Sequence, residues 1–361
     1  MPLDDQGLII STRPTIRLGG QELPLLSANI VKLRMREAPG GLSSLEVVLL
    51  DILSHPDGHA GYGATRESPI RLGAEIKAYM GEVSGPQEIF DGHITAIEAE
   101  VGPESAPLFT LLAEDRLFKA RKTRRTRTFE ESSPADLVRA IAGDHGLTPE
   151  IRGGLDGPIG IWVQMNESDL GFLRRILDRF DADMQVVAGA LQAGPRARDA
   201  RTSVSLTYGH TLVRARLTAD LADQTTEVRV GGFDPATGES VIATATQGEK
   251  GPGNGQEGPA ILREKFQERR EHHGHQGPLT DAEATKIAEA LYGQRARRFV
   301  RVDATAQGNA AIRVGSHVAI AGVNPFFVNT YVVTEATHRF DLANGYLTEF
   351  LAEGAFLGEG E

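Results

Sequence analysis

The sequence predicts a mainly β protein with α/β inserts, and three observations predict it. The chain holds 41 Gly and 18 Pro but one Trp, a balance that suits a turn-rich β protein with closely approaching backbones. From Pro14 to Phe118 apolar and polar residues alternate in short runs split by turn signals, the mark of half-buried antiparallel strands. Between residues 132 and 190 the period lengthens to that of amphipathic helices.

In order along the chain, Pro14 to Leu18 and Gln21 to Leu25 flank Gly19-Gly20, a hairpin signal. Ile30 to Arg36 alternates, with Ile30, Lys32, Arg34 and Arg36 set against Val31, Leu33 and Met35. Pro39-Gly40-Gly41 breaks that run and Leu45 to Leu50 resumes it. Pro69 to Met80, Glu88 to Val101 and Phe109 to Phe118 complete a set whose short spacing predicts a barrel or sandwich. Ser133-Pro134-Ala135-Asp136 then caps a helix, with proline at its first position and Leu137, Val138, Ile141 and Ala142 on one face. Asn166-Glu167-Ser168-Asp169 caps a second helix, whose stripe of Leu170, Leu173, Ile176, Leu177 and Phe180 is apolar. Asp183 to Ala188 returns as a strand.

Strands resume at Ser203, through Val213 to Leu217 and Thr225 to Val230. Residues 248–259, GEKGPGNGQEGP, are expected to form a flexible loop. Thr280-Asp281-Ala282-Glu283 is a capping box that opens a helix bearing Ala284, Ile287, Ala288 and Leu291. Strands then run from Phe299 to Phe350. No tandem repeat of short fixed period is visible.

Composition bounds the function. At 361 residues the chain has room for two or three domains. With 40% hydrophobic and 24% charged residues it reads as an ordinary globular protein. No apolar run approaches the ~18 residues of a membrane-spanning helix, so membrane insertion by this chain is not expected. The start, MPLDDQGLII, is acidic and lacks an apolar region, so the protein is expected to be made in the cytoplasm. The absence of cysteine excludes disulfides, thiolate metal sites and a cysteine nucleophile. The net charge of −11 argues against nucleic-acid binding.

Several residues could carry chemistry. Glu167 and Asp169 are paired carboxylates that would serve acid–base catalysis, for instance in a peptidoglycan-degrading enzyme, yet helix capping alone predicts them there. The basic run Lys119, Arg121, Lys122, Arg124, Arg125 and Arg127 reads as an interface with an acidic neighbour or subunit, ahead of a solvated strand or a nucleic-acid contact. As a strand it would point side chains to both faces, and no aromatic interleaves it. His272, His273 and His275 lie in a hydrophilic Gly-rich stretch that reads as a solvated loop and not a metal site. Gly251-Pro252-Gly253-Asn254-Gly255 lacks the strand, helix and lysine of a phosphate loop. Ser43, Ser44 and Ser133 sit in no nucleophile elbow. His338 reads as a polar strand residue at a barrel interface. No catalytic, cofactor-binding or metal-ligating residue is assigned.

Gln164, Glu167, Ser168, Asp169, Phe172, Leu173 and Arg175 fall in a pattern similar to the Q-x-x-E-S-D-x-x-F-L-x-R signature of phage late control gene D proteins, shared by the hub portion of VgrG proteins of type VI secretion. Upstream, Arg124 to Phe129 before Ser133 resembles the strand-to-helix transition of that family. Downstream, Gly308-Asn309, Val314 to Val318, Tyr331 to His338 and Gly345 to Phe350 resemble its C-terminal barrel. The resemblance implies two related β-barrel domains, at residues 1–125 and 201–361, around an α/β insert at 126–200, the second barrel carrying the loop 248–259 and a helical insertion over about 260–298. It implies a non-enzymatic baseplate or tail hub without cofactors, assembled in a phage tail or phage-like injection particle. Three copies would form a ring that adapts a hexameric tail tube to a trimeric spike, beside other baseplate proteins. Because the sequence stops soon after the second barrel, the spike is expected to be a separate polypeptide.

Overall fold

The computed structural model describes residues 13–54, 60–61, 69–81, 85–103, 105–274, 277 and 279–358. The acidic start of the chain and His275 lie outside them.

Two six-stranded units frame the chain. The first comprises β1 (Thr15–Leu18), β2 (Ile30–Glu37), β3 (Ser44–Leu50), β4 (Glu75–Met80), β5 (Gln87–Gly102) and β6 (Ser105–Asp115). Between the units lies the insert: β7 (Arg124–Ser132), α1 (Pro134–Asp144), β8 (Thr148–Ile151), β9 (Gly160–Ser168), α2 (Asp169–Arg179), β10 (Ala182–Val187) and β11 (Ala190–Pro195). The second unit is β12 (Ser203–Thr207), β13 (Leu212–Ala219), β17 (Val300–Gln307), β18 (His317–Ala321), β19 (Asn329–Asp341) and β20 (Gly345–Gly354). Inside it are inserted β14 (Glu227–Asp234), β15 (Glu239–Ala245), α3 (Gly258–Phe266), β16 (Arg270–His273) and α4 (Asp281–Arg297).

The two units share one strand order. The first runs β1-β4-β5-β6-β3-β2 and the second β12-β18-β19-β20-β17-β13. The likeness extends to register. Thr95 of β5 and Thr334 of β19 each stand at a bulge, and each hydroxyl donates to a leucine carbonyl, of Leu112 and Leu351, at 3.3 Å in both units. Ile94 faces Ala113 as Val333 faces Ala352, and Glu98 faces Thr110 as Thr337 faces Glu349. The bulge between Ile30 and Lys32 recurs between Leu212 and Arg214. Even the turn before β4 repeats before β18: Gly73 N donates to Ile94 O, Gly315 N to Val333 O, and both glycines take a positive φ near +80° that other residues rarely adopt. The units differ at their first strand, which pairs antiparallel in β1·β4 and parallel in β12·β18.

Each unit closes on its own apolar core. Ile16, Leu33, Met35, Val47, Ile76 and Leu111 fill the first; Leu206, Val302, Val318, Tyr331 and Phe350 fill the second. A third core, from Leu117 to Ala193, packs α1 and α2 against the insert's strands, and a fourth packs α4 on β14 and β15. The predicted capping boxes of Ser133 with Asp136 and Thr280 with Glu283 are both formed.

Local expectations fail where backbone irregularity intervenes. The bulge beside Ile30 shifts the phase of β2, so Ile30 is buried with Leu33 and Met35 and does not join Lys32 and Arg34 on the polar side. Gly19-Gly20 does turn a hairpin, but the return strand covers Gln21–Glu22 alone, because Pro24 starts a short helix that takes up Leu25. Residues 69–74 precede β4 as a turn, and Phe118 lies in a 3-10 helix, Arg116–Arg121. The glycine-rich segment 248–258 packs closely: a Cβ on Gly248 would stand 2.3 Å from Glu289 O, and one on Gly255 2.1 Å from Leu357 O. Gln256–Glu257 pairs with Phe356–Leu357, and α3 begins at Gly258.

Candidate functional site: clamp and seam

The signature residues form an electrostatic clamp inside the insert. Antiparallel pairing of β7 with β9 sets Arg127 opposite Gln164. Arg127 donates from Nε to Gln164 Oε1 at 2.8 Å and from Nη2 to Asp169 Oδ1 at 2.9 Å. Gln164 donates to Asp169 Oδ1 and to Glu167 O, both at 2.9 Å. His145 Nε2 stands 2.8 Å from Asp169 Oδ2. Burial works to raise the Asp169 pKa, but the hydrogen bonds of Gln164 and His145 and the charges of Arg127 and Arg125 outweigh it and hold the carboxyl below its usual range. The sequence places Asp169 as a cap partner; in the structure Ser168 is the cap, bonding Gly171 N, and Asp169 turns into the clamp. Glu167 accepts the guanidinium of Arg175, at 2.8 Å to Nη2. Phe172 and Leu173 are core. The two carboxylates are therefore tied to arginines.

The basic run divides. Arg125 and Arg127 share Asp144 at 2.9 and 2.7 Å, and Arg121 pairs with Glu114. Arg124 donates to Asn166 O at 3.0 Å while staying exposed. Lys119 and Lys122 are exposed, Lys122 lying 4.7 Å over the Phe118 ring. The expectation of one continuous strand fails, since the run starts in a 3-10 helix and enters β7 only at Arg124. His272 and His273 sit on β16, paired parallel to β14, and not in a loop; His273 stands 2.9 Å from Glu271, which also accepts Arg295.

The insert is bolted to both units. Arg174 donates to the carbonyls of Gly40 and Gly41 at 2.7 and 2.9 Å, and Asp183 accepts Gly40 N at 2.6 Å. On the other side the fully buried Arg297 of α4 grips both oxygens of Asp181 at 2.7 and 2.6 Å and Glu353 at 3.0 Å. The fork is charge-assisted at both carboxylates, and Asp181 has a second cation, Arg196, at 3.9 Å.

The units meet edge to edge. The first part of β19 pairs with β18, and its last six residues, from Ala336 facing Glu37 to Asp341 facing Lys32, pair antiparallel with β2. Leu33, Met35, His338 and Phe340 close this seam and are buried. Glu37, wholly buried, accepts Val314 N at 3.1 Å and the Arg313 guanidinium. Burial opposes its charge, yet Arg313 prevails and holds its pKa below the usual range. Arg36 pairs with Glu335 at 2.8 Å. His338 Nδ1 meets Tyr346 Oη at 2.8 Å, and burial, aided by Arg313, pushes its pKa down to about 3, so the ring is neutral and serves as a seam residue. The sequence signal for the duplication is local: Ile70-Arg71-Leu72-Gly73 matches Ile312-Arg313-Val314-Gly315, and Leu112-Ala113-Glu114 matches Leu351-Ala352-Glu353.

The fold of this chain is shared by several solved structures of phage-tail and type VI secretion proteins. The chain is similar in structure to the 43 kDa tail protein of a Shewanella oneidensis prophage, at 11% identity and TM-score 0.68, covering 94% of this chain and 97% of that one. It is similar to a Neisseria meningitidis tail protein at 10% identity and TM-score 0.66, covering 94% and 96%. An E. coli component of the type VI secretion system, itself structurally similar to bacteriophage T4 tail proteins gp27 and gp5, matches at 9% identity and TM-score 0.59, covering 96% and 79%. No curated protein matches the chain in sequence. A family model described as the Alg8 N-terminal domain matches residues 12–341, and the chain belongs to that family.

Proposed function

We propose that this protein is a structural hub of a contractile phage tail or phage-like injection machine, and that three copies close into a ring. The observation that carries the reading is the register-for-register likeness of the two units, joined by an edge-to-edge seam. Two alike units per chain turn a ring of three chains into a ring of six similar faces. Such a ring presents six near-equivalent docking positions to a hexameric tail tube and three true equivalents to a trimeric spike. The likeness to phage-tail and type VI proteins supports placing it in a baseplate.

Its work in this reading is mechanical, not catalytic. Glu167 and Asp169, which an acid–base enzyme would need free, are tied to Arg175 and to the clamp. Lys119, Lys122 and Arg124 remain exposed and would meet an acidic neighbour in the particle. Electron-microscope images of the purified protein test the proposal. A ring with six similar lobes is expected; isolated single-chain particles at every concentration would refute it.

A further inference from the structure

A cleft of about 450 Å³ opens where α2 and β10 of the insert meet the first unit at Gly40. That volume lies in the range of ligand sites. Leu177 and Met184 form its buried floor, and Arg174, Arg175 and Arg196 stand at its rim.

The rim carries cation donors without anionic partners. Arg174 donates from Nε and Nη2 to the uncharged carbonyls of Gly40 and Gly41, and among the described residues it has no carboxylate in salt-bridge contact. Burial works against its charge, Asp115 and Asp183 draw it from beyond contact, and Arg121 opposes it. Arg196 reaches Asp178 through Nη2 at 2.9 Å, while its Nε is buried without a partner. Asp183, the other acid of the cleft, accepts Gly40 N at 2.6 Å.

Arg175 joins the rim to a second surface. Its Nη2 donates to Val163 O at 2.9 Å, at the edge of β9. The outer face of β9 bears Ile161, Val163 and Met165, which are 69%, 41% and 71% exposed, while Trp162 and Gln164 between them are buried. Exposed apolar residues are ordinary when scattered singly; an unbroken row of them marks a contact surface. Arg124, which donates to Asn166 O, adds a cation beside Met165, and the exposed Glu130 and Glu131 stand at the opposite end, near Ile161.

We propose that the cleft and the ribbon together bind an acidic, amphipathic peptide segment of another protein. Its carboxylates meet Arg174 and Arg196, and its apolar side chains lie on Ile161, Val163 and Met165. Charge complementarity selects this occupant. Guanidinium forks pair with carboxylates, and both acids already in the cleft are engaged. A free anion would leave the apolar row uncovered. The site is complete on one chain and does not depend on the ring.

The methionines report on it directly. Met184 lies in the cleft and Met165 on the ribbon, while Met35 and Met80 lie in the core of the first unit. The full chain, labelled with carbon-13 at its methionine methyls, is titrated with three probes: a synthetic acetylated peptide of alternating leucine and aspartate, its leucine–asparagine counterpart, and inorganic phosphate. The aspartate peptide is expected to give saturable shifts at Met184 and Met165 with Met35 and Met80 unmoved. Arg196→Gln should weaken that binding about tenfold or more, as loss of a charged hydrogen-bond partner does. Arg174→Lys, which keeps the charge and loses the fork, should weaken it as well, and either variant serves if the other does not fold. No shift at Met184, equal shifts from both peptides, or variants that bind as tightly as the wild type would overturn the proposal. Phosphate that moves Met184 as far as the peptide does, with Met165 unmoved by either, would leave an anion site alone and overturn the peptide reading.

Discussion

Phe340 and Val101 each lie seven residues past the last pair before the shared bulge, although the pairing of β5 with β6 skips Val101 where Phe340 faces Tyr346, and one is 2% exposed where the other is 69% exposed. The difference is the cover: β2 lies over Phe340, and among the described residues no strand lies over Val101. Phe340→Ala should therefore cost the folded chain about 3–5 kcal/mol, as deleting a buried aromatic does. Val101→Ser should change single-chain stability by no more than about 0.5 kcal/mol. Its effect should appear instead as weaker self-association. Urea melts and gel filtration of both variants check the pair.

Asp169 anchors the clamp, so Asp169→Asn should destabilise by about 1–3 kcal/mol at neutral pH, because Arg127 and His145 lose a buried charged acceptor while Arg127 keeps Asp144. The pH dependence has a definite sign. The folded carboxyl titrates below the ordinary aspartate value of 3.8. Its contribution is therefore present above that value and lost as pH falls below it. The gap between wild type and Asp169→Asn in urea midpoint should narrow as the pH falls below 3.8. A constant gap would contradict the clamp.

Asp115 behaves in the opposite sense. Burial pushes its pKa up to about 6 against the pull of backbone N–H groups from Ser43 and Leu117. Here the folded state holds the proton more tightly than the unfolded chain. Its contribution is present below 3.8 and is lost as pH rises toward 6. Carbon-detected NMR of the Asp115 carboxyl should show a midpoint near 6, and Asp115→Asn should flatten the stability slope over that interval.

Gly248→Ala distinguishes a packed segment from a linker. An added Cβ would lie 2.3 Å from Glu289 O and 2.7 Å from Gly293 N, both backbone atoms of α4. A destabilisation of about 1–3 kcal/mol is expected from such overpacking. Thermal melts check it, and an unchanged midpoint would show the segment free of α4.

The helices were legible because their signals are local. Ser133 and Thr280 cap within one turn, and Leu170, Leu173, Ile176 and Leu177 lie on one face. The alternating strands were legible for the same reason, up to the bulge at Ile30, where one extra residue reverses the phase. The glycines between 248 and 258 look like a linker in sequence, yet each close backbone approach there needs a residue without a side chain. Residues alone did not reveal the duplication. The units share backbone register through bulges at Thr95 and Thr334, while most side chains between them differ. In the same way Asp169 reads as a helix cap until Arg127, a distant residue in sequence, is placed beside it.

Native mass, measured by light scattering after gel filtration, decides whether identical chains close into the proposed ring of three. A ring gives a species three times the 38.8 kDa chain that persists on dilution into the low micromolar range. A single-chain mass at every concentration, or a stable even-numbered assembly, would contradict it.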